Sequence, residues 1–333
     1  MKGRFVYLTD SHWAPYMRDP PHAGVWQKEL FDSYCQRLEE AAVDLVKKLS
    51  PDFVIHGGDL CRDPTEDDWQ NAKRILGRFD CPCHIIPGNH DCCQQDHRNR
   101  MVEIFEIPEG RLHYVREIGG LRFIFLDSSY LWMKDQTRVM EPTDPGYVGQ
   151  NVKGIGVSPQ QVAWFAEQLS GPCRQRPTVV VTHCPMVGKA GYPVKTRKEK
   201  PITVSLPEVD PKWMVDVHGC WVMPLEQRRA DLLHIMRQHG DVRLVLAGHT
   251  HFASISVLDG TVHSTCSSMS AWPLEMRLIE FDDTGLNLEA IQVDAPDLIE
   301  ASYRRDWHND WAAGTSDYDR EAHIRWGRET DRA

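Results

Sequence analysis

Five short blocks place Asp, Asn or His directly after a run of apolar residues: Asp10-Ser-His12, Gly58-Asp59, Gly88-Asn-His-Asp91, His183 and Gly248-His-Thr-His251. Singly they say little, since a Gly-Asp or an Asn-His-Asp is ordinary turn chemistry. Together they imply convergence, because side chains at the carboxyl ends of strands in open α/β sheets meet in one crevice. Imidazole and carboxylate without thiolate suit manganese, iron, cobalt, zinc or nickel rather than calcium or an iron–sulfur cluster. Two carboxylates and four or five imidazoles exceed the needs of one tetrahedral zinc. Two adjacent ions sharing a carboxylate use the set naturally. Two dications outweigh Asp10 and Asp59 and keep the centre positive even with a bridging hydroxide. Such a centre attracts a phosphate ester and stabilises the charge that builds up in an in-line displacement.

The elements that must position these blocks are legible in the pattern. Arg4-Phe-Val-Tyr-Leu8 is a buried-strand run ending at Thr9-Asp10. Leu30, Tyr34, Leu38, Ala42, Leu45 and Leu49 share one face of a helix expected over about 27–49, which Ser50-Pro51 stops. Phe53-Val-Ile55 is the next strand, about 65–79 the next helix, and His84-Ile-Ile86 the strand before the Gly88 block. This alternation is that of a layered α/β fold. Strands at His113–Val115 and Leu121–Leu126 flank Gly119-Gly120 as a hairpin, and Ser158 with Gln161 reads as a capping box opening a helix. Thr178–Val181 and Leu244–Leu246 are strands leading to the last two blocks, with a helix over about 225–238 between them. Further strands are expected at 255–257, 261–263, 276–281 and 286–293.

The blocks, in this order, resemble the signature of the calcineurin-like metallophosphoesterases: D-x-H, GD, GNH[DE], a lone H, then GHxH. Pro51-Asp-Phe-Val, Leu126-Asp-Ser128, Gln161-Val-Ala-Trp164 and Val180-Val-Thr-His183 look like the family too, so the resemblance covers about residues 1–290. It implies an α/β fold, a four-layer α/β/β/α sandwich of two mixed sheets. It implies two divalent transition-metal ions (Mn, Fe, Zn or Co). The first would be held by Asp10, His12, Asp59 and His251, the second by the bridging Asp59 with Asn89, His183 and His249. His90 would face the leaving-group oxygen with Asp91 orienting its ring, so Asn89 and His90 would also meet substrate. The implied reaction is hydrolysis of small phosphodiesters by in-line attack of a metal-bridging hydroxide. His12 in the first block, and Arg62 rather than tyrosine three residues past Asp59, separate the chain from purple acid phosphatases. The opening Asp-x-His resembles instead the branch of class III cyclic-nucleotide and glycerophosphodiester phosphodiesterases.

The remaining sequence bounds this reading. With a formal net charge of -10 over 333 residues, a nucleic-acid backbone is disfavoured as the main partner. No signal-peptide pattern and no long apolar run point to membrane or export, so the ten cysteines read as reduced thiols of a cytoplasmic protein. Residues 1–296 form the expected catalytic domain. Within it, 186–224 is a cap-like insertion rich in Pro, Lys and Gly; its His218 is a candidate substrate contact, and Tyr192, Trp213 and Trp221 could stack on a ring. Residues 297–333 carry Tyr303, Trp307, Trp311, Tyr318 and Trp326 and are expected to dock, on their own domain or in a homo-oligomer. His56 and His84 read as core or as supports of the site, and His263 as structural, with support of the site as the alternative. The competing functions are a phosphomonoesterase, a nuclease, and a non-catalytic scaffold of the same fold.

Overall fold

The computed structural model describes residues 1–14, 34–92, 95–133, 152–170, 176–187, 193–196, 199–203, 230–239, 241–251, 253–304 and 320–326. The first half runs β1 (Lys2–Leu8), α1 (Cys35–Leu49), β2 (Phe53–His56), α2 (Glu66–Leu76), β3 (Cys83–Ile85), α3 (Gln95–Ile104), β4 (Tyr114–Ile118), β5 (Leu121–Leu126), β6 (Tyr130–Met133) and β7 (Val152–Gly156). It continues with α4 (Pro159–Ser170), β8 (Thr178–Thr182), β9 (Pro193–Thr196), β10 (Glu199–Thr203), α5 (Ala230–His239), β11 (Val242–Ala247), β12 (Ser254–Leu258) and β13 (Thr261–Thr265). Then follow β14 (Glu275–Asp282), β15 (Gly285–Gln292), α6 (Pro296–Tyr303) and β16 (Glu321–Arg325).

Two six-stranded mixed sheets result, ordered β16-β15-β14-β1-β2-β3 and β12-β13-β11-β8-β5-β4. The strands that carry the blocks pair in parallel: β1 with β2, β2 with β3, and β8 with β11. Their carboxyl ends therefore lie at the same edge of each sheet. Alternation along β5, β8 and β11 sorts the core. Phe123, Phe125, Val179, Val181, Leu244 and Leu246 join Phe5 and Phe53 of the other sheet in one cluster. Ile124, Val180 and Val245 turn outward to Phe165 and Leu169 of α4 and Leu232 and Met236 of α5. Phe123 meets Phe5 edge-on at 5.4 Å and Phe53 at 5.5 Å between ring centroids, and each ring so buried contributes on the order of 1.5–3 kcal/mol. This is the expected four-layer arrangement.

Local signals explain several helix ends and tertiary contacts override others. Thr65 caps α2, accepting from the Asp68 amide at 3.3 Å, and three acids occupy its first turn. Within the described residues α1 begins at Cys35, and Leu30 lies outside them; Ser50, at φ 48°, ends it. Ser158 Oγ accepts from the Gln161 amide N–H at 3.2 Å, but the capping box is only half made. The Gln161 side chain instead accepts from Asp127 N and donates to Asp127 O, both at 2.7 Å. In the insertion read as a cap, residues 193–196 and 199–203 pair as an antiparallel hairpin; most of the remainder, including Tyr192, Trp213, His218 and Trp221, lies outside the described residues. Near the C-terminus, β16 adds to the first sheet along β15, burying Ile324, and Trp326 Nε1 donates to Asp282 O at 2.7 Å. Trp307, Trp311 and Tyr318 lie outside the described residues.

His263 is held in β13 beside Val245, 5% exposed, and its ring nitrogens meet no hydrogen-bond partner among the described residues. It therefore sits in the strand as a structural residue and makes no hydrogen bond to the metal-binding blocks. Burial, opposed by Asp259, holds its pKa down from 6.5 to about 4. Between those pH values the unfolded chain takes up a proton that the folded chain refuses, so stability falls as pH falls. His263→Leu should keep or raise stability at pH 7, because it removes polar atoms with nothing to bond. At pH 5 it should be the more stable protein by about 2 kcal/mol. Urea midpoints at both pH values measure this, and identical losses on acidification in the two proteins would contradict it.

Candidate metal centre

The Asp10 block leaves β1 with Asp10 at φ 54° and His12 at φ 47°, and Asp59 after β2 has φ 51°. His249 and His251 after β11 lie at 68° and 60°. A non-glycine residue held in this left-handed region costs on the order of 1–3 kcal/mol, and five of the seven expected ligands adopt it. Backbone bonds enforce the turns: Asp10 N donates to Gly58 O and His12 N to Asp59 O, each at 3.0 Å, and Gly248 N donates to His183 O at 2.9 Å. The first two tie together the ends of β1 and β2; the third ties the end of β8 to that of β11.

These turns bring the side chains together where the two sheets meet. His251 Nε2 lies 3.3 Å from Asp10 Oδ1 and 3.2 Å from His12 Nε2, while His12 Nε2 is 3.9 Å from Asp59 Oδ2. On the other side of Asp59, His183 Nε2 lies 3.2 Å from the same Oδ2. Asp10, His12, Asp59 and His251 thus form one group of converging donor atoms, and Asp59, His183 and His249 a second, each within 4.8 Å. Asp59 belongs to both. Donor atoms about 2.0–2.2 Å from a tetrahedral ion sit roughly 3.4 Å apart, so the spacing suits coordination. One further atom supports it. Asn89 Oδ1 is buried and makes no hydrogen bond among the described residues, although buried acceptors are rarely left so.

Several donors are aimed from behind. His183 Nδ1–H donates to Gly57 O at 2.9 Å, which turns Nε2 into the centre. Asp10 accepts from Thr9 Oγ1 at 2.8 Å and from His249 N at 2.9 Å, and Ser268 Oγ donates to the Asp10 carbonyl at 2.7 Å. Buried His56 bonds Ser11 Oγ through Nε2 at 2.9 Å, gripping the residue between two expected ligands. His84 does not reach the site; its ring lies 5.9 Å from that of Phe53. Burial and the neighbouring His183 hold His249 down to about 3, and burial, despite Asp59, holds His12 near the same value. Both are then neutral donors. Burial opposes charge on His183 as well, yet Asp59 and Asp10 outweigh it and lift the ring to about 9. An ion held there would take the place of that proton.

His90 stands at the half-buried mouth. Its backbone N–H donates to Asp59 Oδ1 at 2.8 Å, its ring lies edge-on to His12 at 4.8 Å, and Nδ1–H donates to Arg62 O at 3.0 Å. The expected role of Asp91 in orienting that ring needs correcting. The Asp91 carboxylate accepts instead from the amides of Gly88, Leu60 and Cys61 at 2.8, 3.1 and 2.8 Å, so it clamps the His90 turn to the Asp59 turn. Burial and the nearby Asp59 raise its pKa to about 7 against those three donors. Thr9, Ser268 and Ser270 were not singled out by the sequence reading; the run Ser264-Thr-Cys-Ser-Ser-Met-Ser270, buried throughout, was the available signal.

Two facing sheets with two groups of metal-capable donors that share a carboxylate at their joint suit a metal-dependent hydrolase of phosphoric esters. Residues 3–253 match the model of the calcineurin-like phosphoesterases, and the chain belongs to that family. It is 25% identical over 233 residues, 66% of this chain and 68% of the relative, to the glycerophosphodiester phosphodiesterase GpdQ of Enterobacter lignolyticus. It is likewise 25% identical over 271 residues, 79% of this chain and 69% of the relative, to a probable cyclic nucleotide phosphodiesterase of Rhodococcus erythropolis. The chain spans about two thirds of the length of the curated relatives it matches, between 62% and 69%. Among solved structures it is similar to a dimetal phosphatase from Danio rerio, with TM-score 0.59 and 16% identity over 87% of this chain and 97% of that one. It is also similar to GAP50, the anchor in the inner membrane complex of Plasmodium, with TM-score 0.51 and 14% identity over 90% and 87%. These two likenesses establish the fold alone.

Gly88 shows how little room the centre leaves. A Cβ there would stand 2.1 Å from Asp59 Oδ1 and 2.3 Å from Asp59 N. Gly88→Ala should push Asp59 aside and weaken metal binding by at least about tenfold. Gly77→Ala, whose added carbon would meet only carbonyl oxygens at 3.5 Å, should bind normally. Equilibrium dialysis against manganese compares them, and equal uptake by both variants would refute the packing argument.

Proposed function

We propose that the protein hydrolyses small organic phosphodiesters. The observation that carries this reading is the single Asp59 carboxylate serving two adjacent groups of donors. Ions held there would supply a nucleophile at neutral pH and hold the charge of the phosphoryl oxygens. Asp10, His12, Asp59 and His251 would hold the first; Asp59, Asn89, His183 and His249 the second. The curated relatives are phosphodiesterases by name, which favours a diester over a monoester. The formal charge of -10 favours a small substrate over a nucleic acid. Manganese, iron, zinc or cobalt match the donors. The described cysteines are free thiols, as befits a cytoplasmic compartment. Among the described residues no helix is long and apolar enough to cross a membrane. Self-association through the segment after 297 belongs to the same reading.

His90 is the acid in this scheme. With Nδ1–H committed to the Arg62 carbonyl, the ring gains and releases its second proton at Nε2, and that atom protonates the departing alkoxide. Asp91 keeps the turn in place and takes no proton from substrate. Bis-p-nitrophenyl phosphate should therefore be turned over faster than p-nitrophenyl phosphate. A general acid contributes about 10²–10⁴-fold, and most where the leaving group is basic. His90→Ala should slow an alkyl diester by that order, spare the p-nitrophenyl diester, and keep its metal. Equal losses on both diesters would assign His90 to phosphate binding, and faster turnover of the monoester would overturn the diesterase reading.

A further inference from the structure

The two halves of the centre hang on separate supports, and one of them is a buried polar node that the proposed reaction does not use. Arg98 on α3 donates through Nε to Asp127 Oδ2 and through Nη2 to Ser129 Oγ, both at 2.9 Å. Its guanidinium lies 3.8 Å from the Tyr130 ring centroid. Asp127 Oδ1 accepts from Ser129 N at 3.0 Å and Ser129 Oγ at 2.6 Å. Gln161 of α4 clamps both backbone groups of Asp127. Asp127, Ser128 and Ser129 are at most 1% exposed. From this fixed segment two arms reach the site. Ser128 Oγ accepts from the amide of Cys184, the residue after His183, at 2.9 Å, and Ser129 Oγ meets Cys92 Sγ, three residues past Asn89, at 3.2 Å. The Asp10 loop, by contrast, rests on Ser268, Ser270 and His56.

We propose that the Asp127–Arg98 pair, acting through Ser128 and Ser129, positions His183 and Asn89 and so sets the affinity of the second metal position independently of the first. The inference rests on the two-ion reading above. A buried ion pair adds little net stability over apolar residues of the same shape. Its fixed fork of donors and acceptors gives direction instead, and the nearest proposed ligands along the chain from the two arms, His183 and Asn89, belong to one position. Losing an outer partner of a ligand commonly weakens metal binding by about 10–100-fold, and here the loss should fall on one position.

The test is calorimetric titration of the metal-free full chain with Mn²⁺. Wild type should take two ions. His251→Ala should leave the second position alone, and His249→Ala the first. Ser128→Ala should weaken the remaining step about tenfold in the His251→Ala background and leave it unchanged in the His249→Ala background. Asp127→Asn should do the same more strongly. Since it strands the buried Arg98 charge, it can fail to fold, and Ser128→Ala then decides alone. Equal weakening in both backgrounds would mean a general loss of structure, and no weakening would mean no positioning; either overturns the proposal. If wild type takes one ion, the two-ion reading falls and the proposal with it, a result visible before Ser128 is changed.

Discussion

The Asp59 carboxylate, buried and within reach of His12 on one side and His183 on the other, is the group around which the rest of the molecule is arranged. A carboxylate removed from water is tolerated only with strong compensation. Burial alone would push the acid to its neutral form. Instead His183 and His90 hold the carboxyl well below the usual range despite that burial. Of these two, His183 also belongs to the second group of donors, and Asp59 is kept in the charged form that an ion there would need.

Holding that arrangement constrains the backbone more than the core does. Five of the proposed ligands lie in left-handed conformations, and the ends of the block-bearing strands approach so closely that glycine is the residue that fits beside Asp59 and beside Asp10. A side chain at Gly248 would overlap Thr9 and Asp10. Two well-packed sheets supply the rigidity that keeps these turns from relaxing, through the aromatic contacts of Phe5, Phe53 and Phe123. Around them sit polar nodes that do not stabilise the fold so much as aim it: Ser268 and His56 on one half, Asp127 and Arg98 on the other.

The blocks and the elements before them were legible because their signals are local. An apolar run, a glycine and a metal-capable side chain adjoin in sequence, and the parallel strands carry them to one edge. What the sequence hid is non-local. Gln161 has the spacing of a capping box, but its amide meets Asp127, thirty-four residues away. Asp91 adjoins His90, yet its carboxylate bonds amides of the preceding block, and a carbonyl on the Arg62 loop orients the ring instead. His263 has the right type and the wrong face. Residue type and proximity in the chain fix what a side chain can do; which partner it meets is decided by the packing of distant strands.

The central claim is that one carboxylate serves two ions, and it is tested most directly by counting metal in purified wild type and Asp59→Asn by elemental analysis. The account predicts close to two transition-metal ions per chain in wild type, and loss of both in the variant because each position forfeits the shared ligand. A fully active wild type holding one ion, or a variant that retains one position at wild-type affinity, would contradict it.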